Sequence, residues 1–147
     1  MKSIINDQMK DNYQQKTTYI DINQLRLSKN YIIRRYSDST YYGEIINELR
    51  TGKGAMKYDN GRIYEGEWQE DFRHGKGYEI YHNGNTYEGD YQAGKAHGKG
   101  VYKWANGEIY DGEWAHGLKH GDGVWKGICI IKAVSYTHLT LPTKRIV

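Results

Sequence analysis

"YEGEWQEDFRHGKGYEIYHNGNT" occupies residues 64–86, and "YEGDYQAGKAHGKGVYKWANGEI" follows at once over residues 87–109. The two stretches align residue for residue, so one 23-residue unit is used twice in succession. The unit continues in both directions. It opens on Tyr41, Tyr64, Tyr87 and Tyr110, with Gly43, Gly66, Gly89 and Gly112 two residues later. An acid comes next (Glu44, Glu67, Asp90, Glu113), then Ile45, Trp68, Tyr91 and Trp114. The glycine pairs Gly52/Gly54, Gly75/Gly77, Gly98/Gly100 and Gly121/Gly123 keep the same spacing. His74, His97 and His120 precede three of them and Thr51 the first. Asn60-Gly61, Asn83-Gly84 and Asn106-Gly107 close three units. The fourth unit loses register at Gly127.

A fixed period of this size marks a repeat architecture, in which each unit packs mainly on its neighbours. Each unit holds two strand-like runs, such as Tyr64–Trp68 and Gly75–Tyr81. Side chains two apart share a strand face, so Tyr64, Gly66 and Trp68 fall together, with Glu65 and Glu67 opposite. Asn-Gly between such runs is the strongest short hairpin signal and predicts type I′ turns. The expectation is an all-β, elongated antiparallel meander of about eight strands, roughly 38 Å long at ~4.8 Å per strand. Glycine between two aromatics lets rings lie flat over bare backbone. With four Trp, fifteen Tyr and one Phe in the chain, aromatic rings carry most of the apolar surface. The residues expected to form the structural and interaction surface are therefore Tyr64, Trp68, Tyr81, Tyr87, Tyr91, Trp104, Tyr110 and Trp114. The framework glycines are Gly66, Gly75, Gly77, Gly89, Gly98, Gly100, Gly112, Gly121 and Gly123.

The pattern Tyr-x-Gly-x-Trp-x-x-Gly-x-x-His-Gly-x-Gly resembles the MORN (membrane occupation and recognition nexus) repeat. The units at 87–109 and 110–132 fit it best. Asp71 replaces the middle glycine in the unit at 64–86, and Ile45, Glu48 and Thr51 depart from it in the unit at 41–63. The resemblance implies a scaffolding or dimerisation module. MORN arrays also occur beside phosphatidylinositol phosphate kinase or SET methyltransferase domains. The alternative it implies is the regulatory, membrane-associating repeat region of such a lipid kinase, its catalytic domain missing from this chain.

Residues 1–40 are expected to be a flank that caps the array or is partly disordered, with Met1 to Lys16 lacking any periodicity. Short strands or a helical turn are expected in "TYIDINQLRL" and "YIIRRYS". Val134–Thr143, "VSYTHLTLPT", resembles a translated sequencing-library adapter. Residues 133–147 are accordingly set aside as a non-native tail, which makes the chain a fragment. Met1–Lys10 has no apolar core of a signal peptide, the run Ile128–Ile131 is too short to span a bilayer, and Cys129 has no cysteine to pair with. A cytoplasmic protein, peripheral to a membrane or the cytoskeleton, is the expectation.

No catalytic, cofactor or metal residues are assigned. The in-phase histidines sit two strands apart, ~9.6 Å, too far to share one ion. The Gly-Lys-Gly triplets lack the following Ser/Thr and helix of a phosphate loop. Glu65, Glu67, Glu88 and Asp90 read as a solvated acidic stripe facing Lys76 and Lys99. Charge narrows the partners. Residues 41–132 carry 12 basic and 14 acidic residues, a net of −2, whereas residues 1–40 carry 7 and 4. Nucleic acid, which needs a basic stripe, is not an expected partner. Arg34 and Arg35 are the candidate contact for weak anionic-lipid binding. The expected function is non-catalytic association with a protein partner or with a second copy.

Overall fold

The computed structural model describes residues 4–5, 10–127 and 138–140. The four units give eight strands, two each: β3 (Ser39–Ile46) and β4 (Leu49–Tyr58), β5 (Ile63–Gln69) and β6 (Phe72–Ile80), β7 (Thr86–Gln92) and β8 (Lys95–Lys103), β9 (Ile109–Ala115) and β10 (Leu118–Lys126). The N-terminal flank adds β1 (Ile4–Ile5), the single turn α1 (Ile22–Leu25) and β2 (Tyr31–Arg35), and β11 (His138–Thr140) pairs with β10. All neighbours are antiparallel and follow chain order from β1 to β11, so the fold is one open meander. "TYIDINQLRL" thus supplies the helical turn and "YIIRRYS" the strand. Asp21 caps that turn, accepting from the backbone N–H groups of Asn23 and Gln24.

The two turns of each unit exchange the roles expected of them. Type I′ geometry, with both central residues at positive φ, occurs inside each unit at Asn47-Glu48, Glu70-Asp71, Ala93-Gly94 and His116-Gly117. The Asn-Gly turns are three-residue loops instead. Only the glycine is left-handed (Gly61 at φ 95°), Tyr58 N–H donates to Arg62 O, and Gly61 N–H donates to Tyr58 O. That is a type I turn followed by a one-glycine bulge. The asparagine earns its place by its side chain: Asn60 Oδ1 accepts from Arg62 N–H, and Asn83 and Asn106 act alike.

A register shift recurs in every intra-unit hairpin except that its exact neighbours vary, as between Gly66 and Glu67 on β5. The first glycine of each pair sits in this bulge at positive φ. The acid that follows the strand glycine then accepts the backbone N–H of the residue between the pair: Glu44 from Lys53, Glu67 from Lys76, Asp90 from Lys99 and Glu113 from Asp122. Glu67 and Asp90 thus hold the bulge while staying partly open to solvent, and Asp90 also faces Lys76 across the strands, an ion pair of 2.5 Å.

The second glycine of each pair lies under the unit's opening tyrosine. Tyr41, Tyr64, Tyr87 and Tyr110 are at most 1% exposed, and each hydroxyl donates to the carbonyl three residues on. A Cβ at Gly77 would stand 2.5 Å from Tyr64 Oη and 2.7 Å from Cε2. Gly77→Ala should therefore destabilise the fold by ~1–3 kcal/mol, the usual range for overpacking. Gly127, with nothing within 4 Å of a Cβ, is the control, and Gly127→Ala should change stability by less than about 0.5 kcal/mol. Urea unfolding of the two variants checks this; equal midpoints would remove the ring-over-glycine account.

Ala93 is exposed and left-handed at φ 49°, a conformation that costs an L-residue roughly 1 kcal/mol. Ala93→Asn should recover part of that cost and raise the melting temperature, because it completes the favoured type I′ pair with Gly94.

Candidate functional site

The aromatic face is a continuous ladder. The fifth residue of a unit packs edge-on against its own opening tyrosine and against that of the unit before. Trp68 meets Tyr64 at 5.1 Å and Tyr41 at 5.5 Å; Tyr91 meets Tyr87 and Tyr64, each at 5.1 Å; Trp114 meets Tyr110 at 5.5 Å and Tyr87 at 5.2 Å. All six contacts are close to perpendicular, the favoured arrangement of two ring quadrupoles. The indole N–H groups of Trp68 and Trp114 donate to Gly54 O and Gly100 O.

Of the eight aromatics expected to form the interaction surface, six are buried: Tyr64, Trp68, Tyr87, Tyr91, Tyr110 and Trp114. Tyr81 and Trp104 are half-buried against them. Trp68 and Trp114, expected among the structural and interaction aromatics, are core rings packed edge-on beside bare glycine backbone. The exposed large apolar side chains among the described residues are Leu27, Ile46, Leu49 and Phe72, and Phe72 is 57% exposed. Sequence reading passed over Ile46, Leu49 and Phe72 because they lack the repeat's signature. The signal that would have found them is their place beside the type I′ turns, where a meander turns its backbone to solvent.

The opposite face carries a second core. Tyr13, Ile20, Ile22 and Leu25 pack with Tyr42 and Ala55, so the flank covers the first strands. Asp11 to Lys16 is irregular, as expected of the flank, and is held on the sheet through Tyr13 and Lys16; residues 1–3 and 6–9 lie outside those described. Glu65, fully buried, accepts a hydrogen bond from the Tyr13 hydroxyl and others from Lys16 N–H at 2.9 and 3.0 Å. It is no part of a solvated stripe. Tyr19 lies toward Glu88, and burial together with that carboxylate pushes its phenol up to about 12. Asp11 is held below the ordinary carboxylate value: burial works against ionisation, but hydrogen bonds from Arg26 and Tyr31 outweigh it.

The arginines are engaged. Arg34, the inner half of the candidate lipid contact, is 2% exposed and donates to Glu48, so it presents no charge to a bilayer. Arg35 holds Asp59 through both terminal nitrogens at 2.7 and 2.6 Å. Arg50 pairs with Asp71, and Arg62 and Arg73 both pair with Glu79. Hydrogen bonds from Arg50 hold Asp71 below its ordinary value against the opposing effect of burial. The three in-phase histidines fall on separate hairpins, and no cluster of three or more metal-ligating side chains occurs among the described residues.

Beside Ala96 the ladder opens into a cleft of about 390 Å³ lined by Tyr81, Tyr87, Tyr91, Tyr102 and Trp114, with Arg73 and Glu79 at one side. It has no counterpart in the sequence expectations.

The family model of the MORN repeat matches residues 64–86, 87–109 and 110–127. These are MORN repeats. The unit at 41–63 lies outside the match, yet Tyr41 over Gly54 and Glu44 on Lys53 N–H reproduce the MORN geometry there. MORN repeats are protein- and membrane-interaction modules and are generally non-catalytic. A search of curated proteins finds no match for the chain. No helix among the described residues is long and apolar enough to cross a membrane.

Burial pushes the Tyr41, Tyr64, Tyr81, Tyr87 and Tyr91 phenols well above the ordinary tyrosine value of 10.0. Their folded pKa lies above their unfolded one. The stability they contribute is complete below pH 10 and falls as pH rises toward the folded values, where only the unfolded chain ionises. Tyrosinate absorbance and circular dichroism should therefore change together in one cooperative step above pH 10. Smooth titration of these phenols near pH 10 with the fold intact would contradict the buried ladder.

Proposed function

We propose that residues 41–132 act as one non-catalytic MORN module that binds other polypeptides, a second copy of this chain among them, in the cytoplasm. The observation that carries this reading is the exposure of Ile46, Leu49 and Phe72 along the turn-bearing side of the array. Ile46 and Leu49 are cross-strand partners flanking the first type I′ turn, and Phe72 follows the second. Turns are where apolar side chains are least expected, and exposed apolar side chains grouped at one edge are what an interface core needs. The charge distribution supports a protein surface over an anionic bilayer. The repeats carry a net of −2, and Arg34, Arg35, Arg50, Arg62 and Arg73 are each held by a carboxylate. Screening over ~8 Å at physiological salt leaves little long-range attraction for lipid headgroups.

The test is sedimentation velocity over a range of protein concentration, beside co-sedimentation with vesicles containing phosphatidylinositol phosphates. Self-association should be concentration-dependent and weakened at least tenfold by Leu49→Ser combined with Phe72→Ser, with the melting temperature little changed because both side chains are exposed. A chain that stays monomeric and binds the vesicles tightly would replace this reading with the lipid-kinase regulatory one.

A further inference from the structure

The tenth residue of each unit is Arg50, Arg73, Ala96 and Lys119. In three units it is a cation, and each of those cations lies over aromatic rings of the ladder. Arg50 is 4.6 Å from the Trp68 ring, which belongs to the following unit. Arg73 lies 5.6 Å from Tyr64 in its own unit and 5.8 Å from Tyr91 in the following one. Lys119 Nζ is 4.7 Å from Tyr110 and 4.4 Å from Trp125, both in its own unit, and 5.5 Å from Trp104 in the unit before. Taken together, the three cations touch rings at four positions of the repeat, which act as walls: the opening tyrosine, the sixteenth residue, the fifth residue of the next unit and the eighteenth of the previous one; the sixteenth is aromatic only as Tyr102 and Trp125, being Met56 and Glu79 in the first two units.

In the unit at 87–109 those four walls are Tyr87, Tyr102, Trp114 and Tyr81. All four line the cleft beside Ala96. Tyr87 and Trp114 meet edge to face at 5.2 Å, and Tyr81 and Tyr102 lie 5.8 Å apart at 33°, as Trp104 and Trp125 lie at 37° around Lys119. Tyr102 is fixed from behind, since Asn85 Nδ2 donates to its hydroxyl at 2.9 Å. The walls of the seat are in place, and the side chain that would fill it is a methyl group.

We propose that this seat takes a lysine or arginine side chain from a partner polypeptide, held over the faces of Tyr81, Tyr87, Tyr102 and Trp114. That the cation arrives on a polypeptide rests on the interaction reading above; the seat itself rests only on the repeat geometry. Ring faces attract ammonium and guanidinium groups, most strongly when water is excluded. Arg62, Arg73 and Lys95 also border the cleft, with Glu79 as the acid. Both arginines share the one carboxylate of Glu79, at 2.6 and 2.8 Å, so the lining keeps a net positive charge that opposes a second cation, and the attraction has to come from the ring faces. An incoming cation would sit two strands from Arg73, ~9.6 Å. Arg50 and Arg73 already occupy successive seats at that same spacing, each beside a carboxylate, Asp71 and Glu79.

The experiment uses the full chain and three probes: N-acetyl-arginine amide, N-acetyl-lysine amide and the neutral N-acetyl-norleucine amide, followed by NMR. The side-chain methylene signals of the basic probes should move upfield under the ring currents, saturably, while norleucine amide binds at least tenfold more weakly. Ala96→Arg should fill the seat from within, raise the melting temperature and abolish probe binding. Norleucine amide binding as well as the basic probes would overturn the proposal in favour of a simple apolar cleft. Inorganic phosphate perturbing the same rings would overturn it in favour of an anion site at Arg62 and Arg73. No binding of either basic probe, together with a lowered melting temperature for Ala96→Arg, would show that the seat is not shaped for a cation. None of these results depends on self-association, so failure here is distinguishable from failure of the interaction reading.

Discussion

A tyrosine ring laid across two glycines is the contact on which this molecule depends. In each unit the opening tyrosine covers the glycine two residues on and the second glycine of the following pair, and its hydroxyl closes onto the carbonyl three residues along. A side chain at either glycine would lift the ring. With the ring down, the fifth-position aromatic stands edge-on against it and bridges to the preceding unit. An antiparallel sheet usually needs a second layer to bury one face. Here rings lying on backbone provide that burial within a single sheet, and the array grows by adding units.

The bulge is the second consequence. Because the first glycine of each pair is left-handed, the strand gains a residue there, and the acid beyond the strand glycine turns back to accept the freed backbone N–H. The recurrent acid is thereby explained as a backbone acceptor, which in Asp90 also pairs with Lys76. The cation row follows in turn: the tenth residue leaves the type I′ turn over the ladder, where a long basic side chain can spread on the rings and shield them. Ala96 breaks that row, and the cleft is the result.

Most of the fold was legible from the 23-residue period, since aromatic, glycine and acid recur with the alternation a strand requires. Less of the site was. Asn60-Gly61 reads as a two-residue turn, but the Asn side chain can also cap a three-residue loop, and only the backbone of the assembled sheet decides between them. Trp68 and Trp114 read as structural and interaction rings alike because a single sheet has two faces. Their burial comes in part from Tyr41 and Tyr87, each 27 residues earlier in sequence and two strands away in space. Glu65 reads as solvated because nothing in residues 10–16 announces that Tyr13 will lie over it.

The sequence by itself determined the meander, its period, its eight repeat strands and the pairing of ring with glycine, because each of these is a local pattern repeated in register. The tertiary structure alone decided which surfaces remain open. The flank's cover over Glu65, the engagement of Arg34 by Glu48, the exposure of Phe72 and the seat beside Ala96 all depend on contacts between residues far apart in the chain. Burial is a property of neighbours, and a repeat written in sequence states which residues recur but not what finally stands beside them.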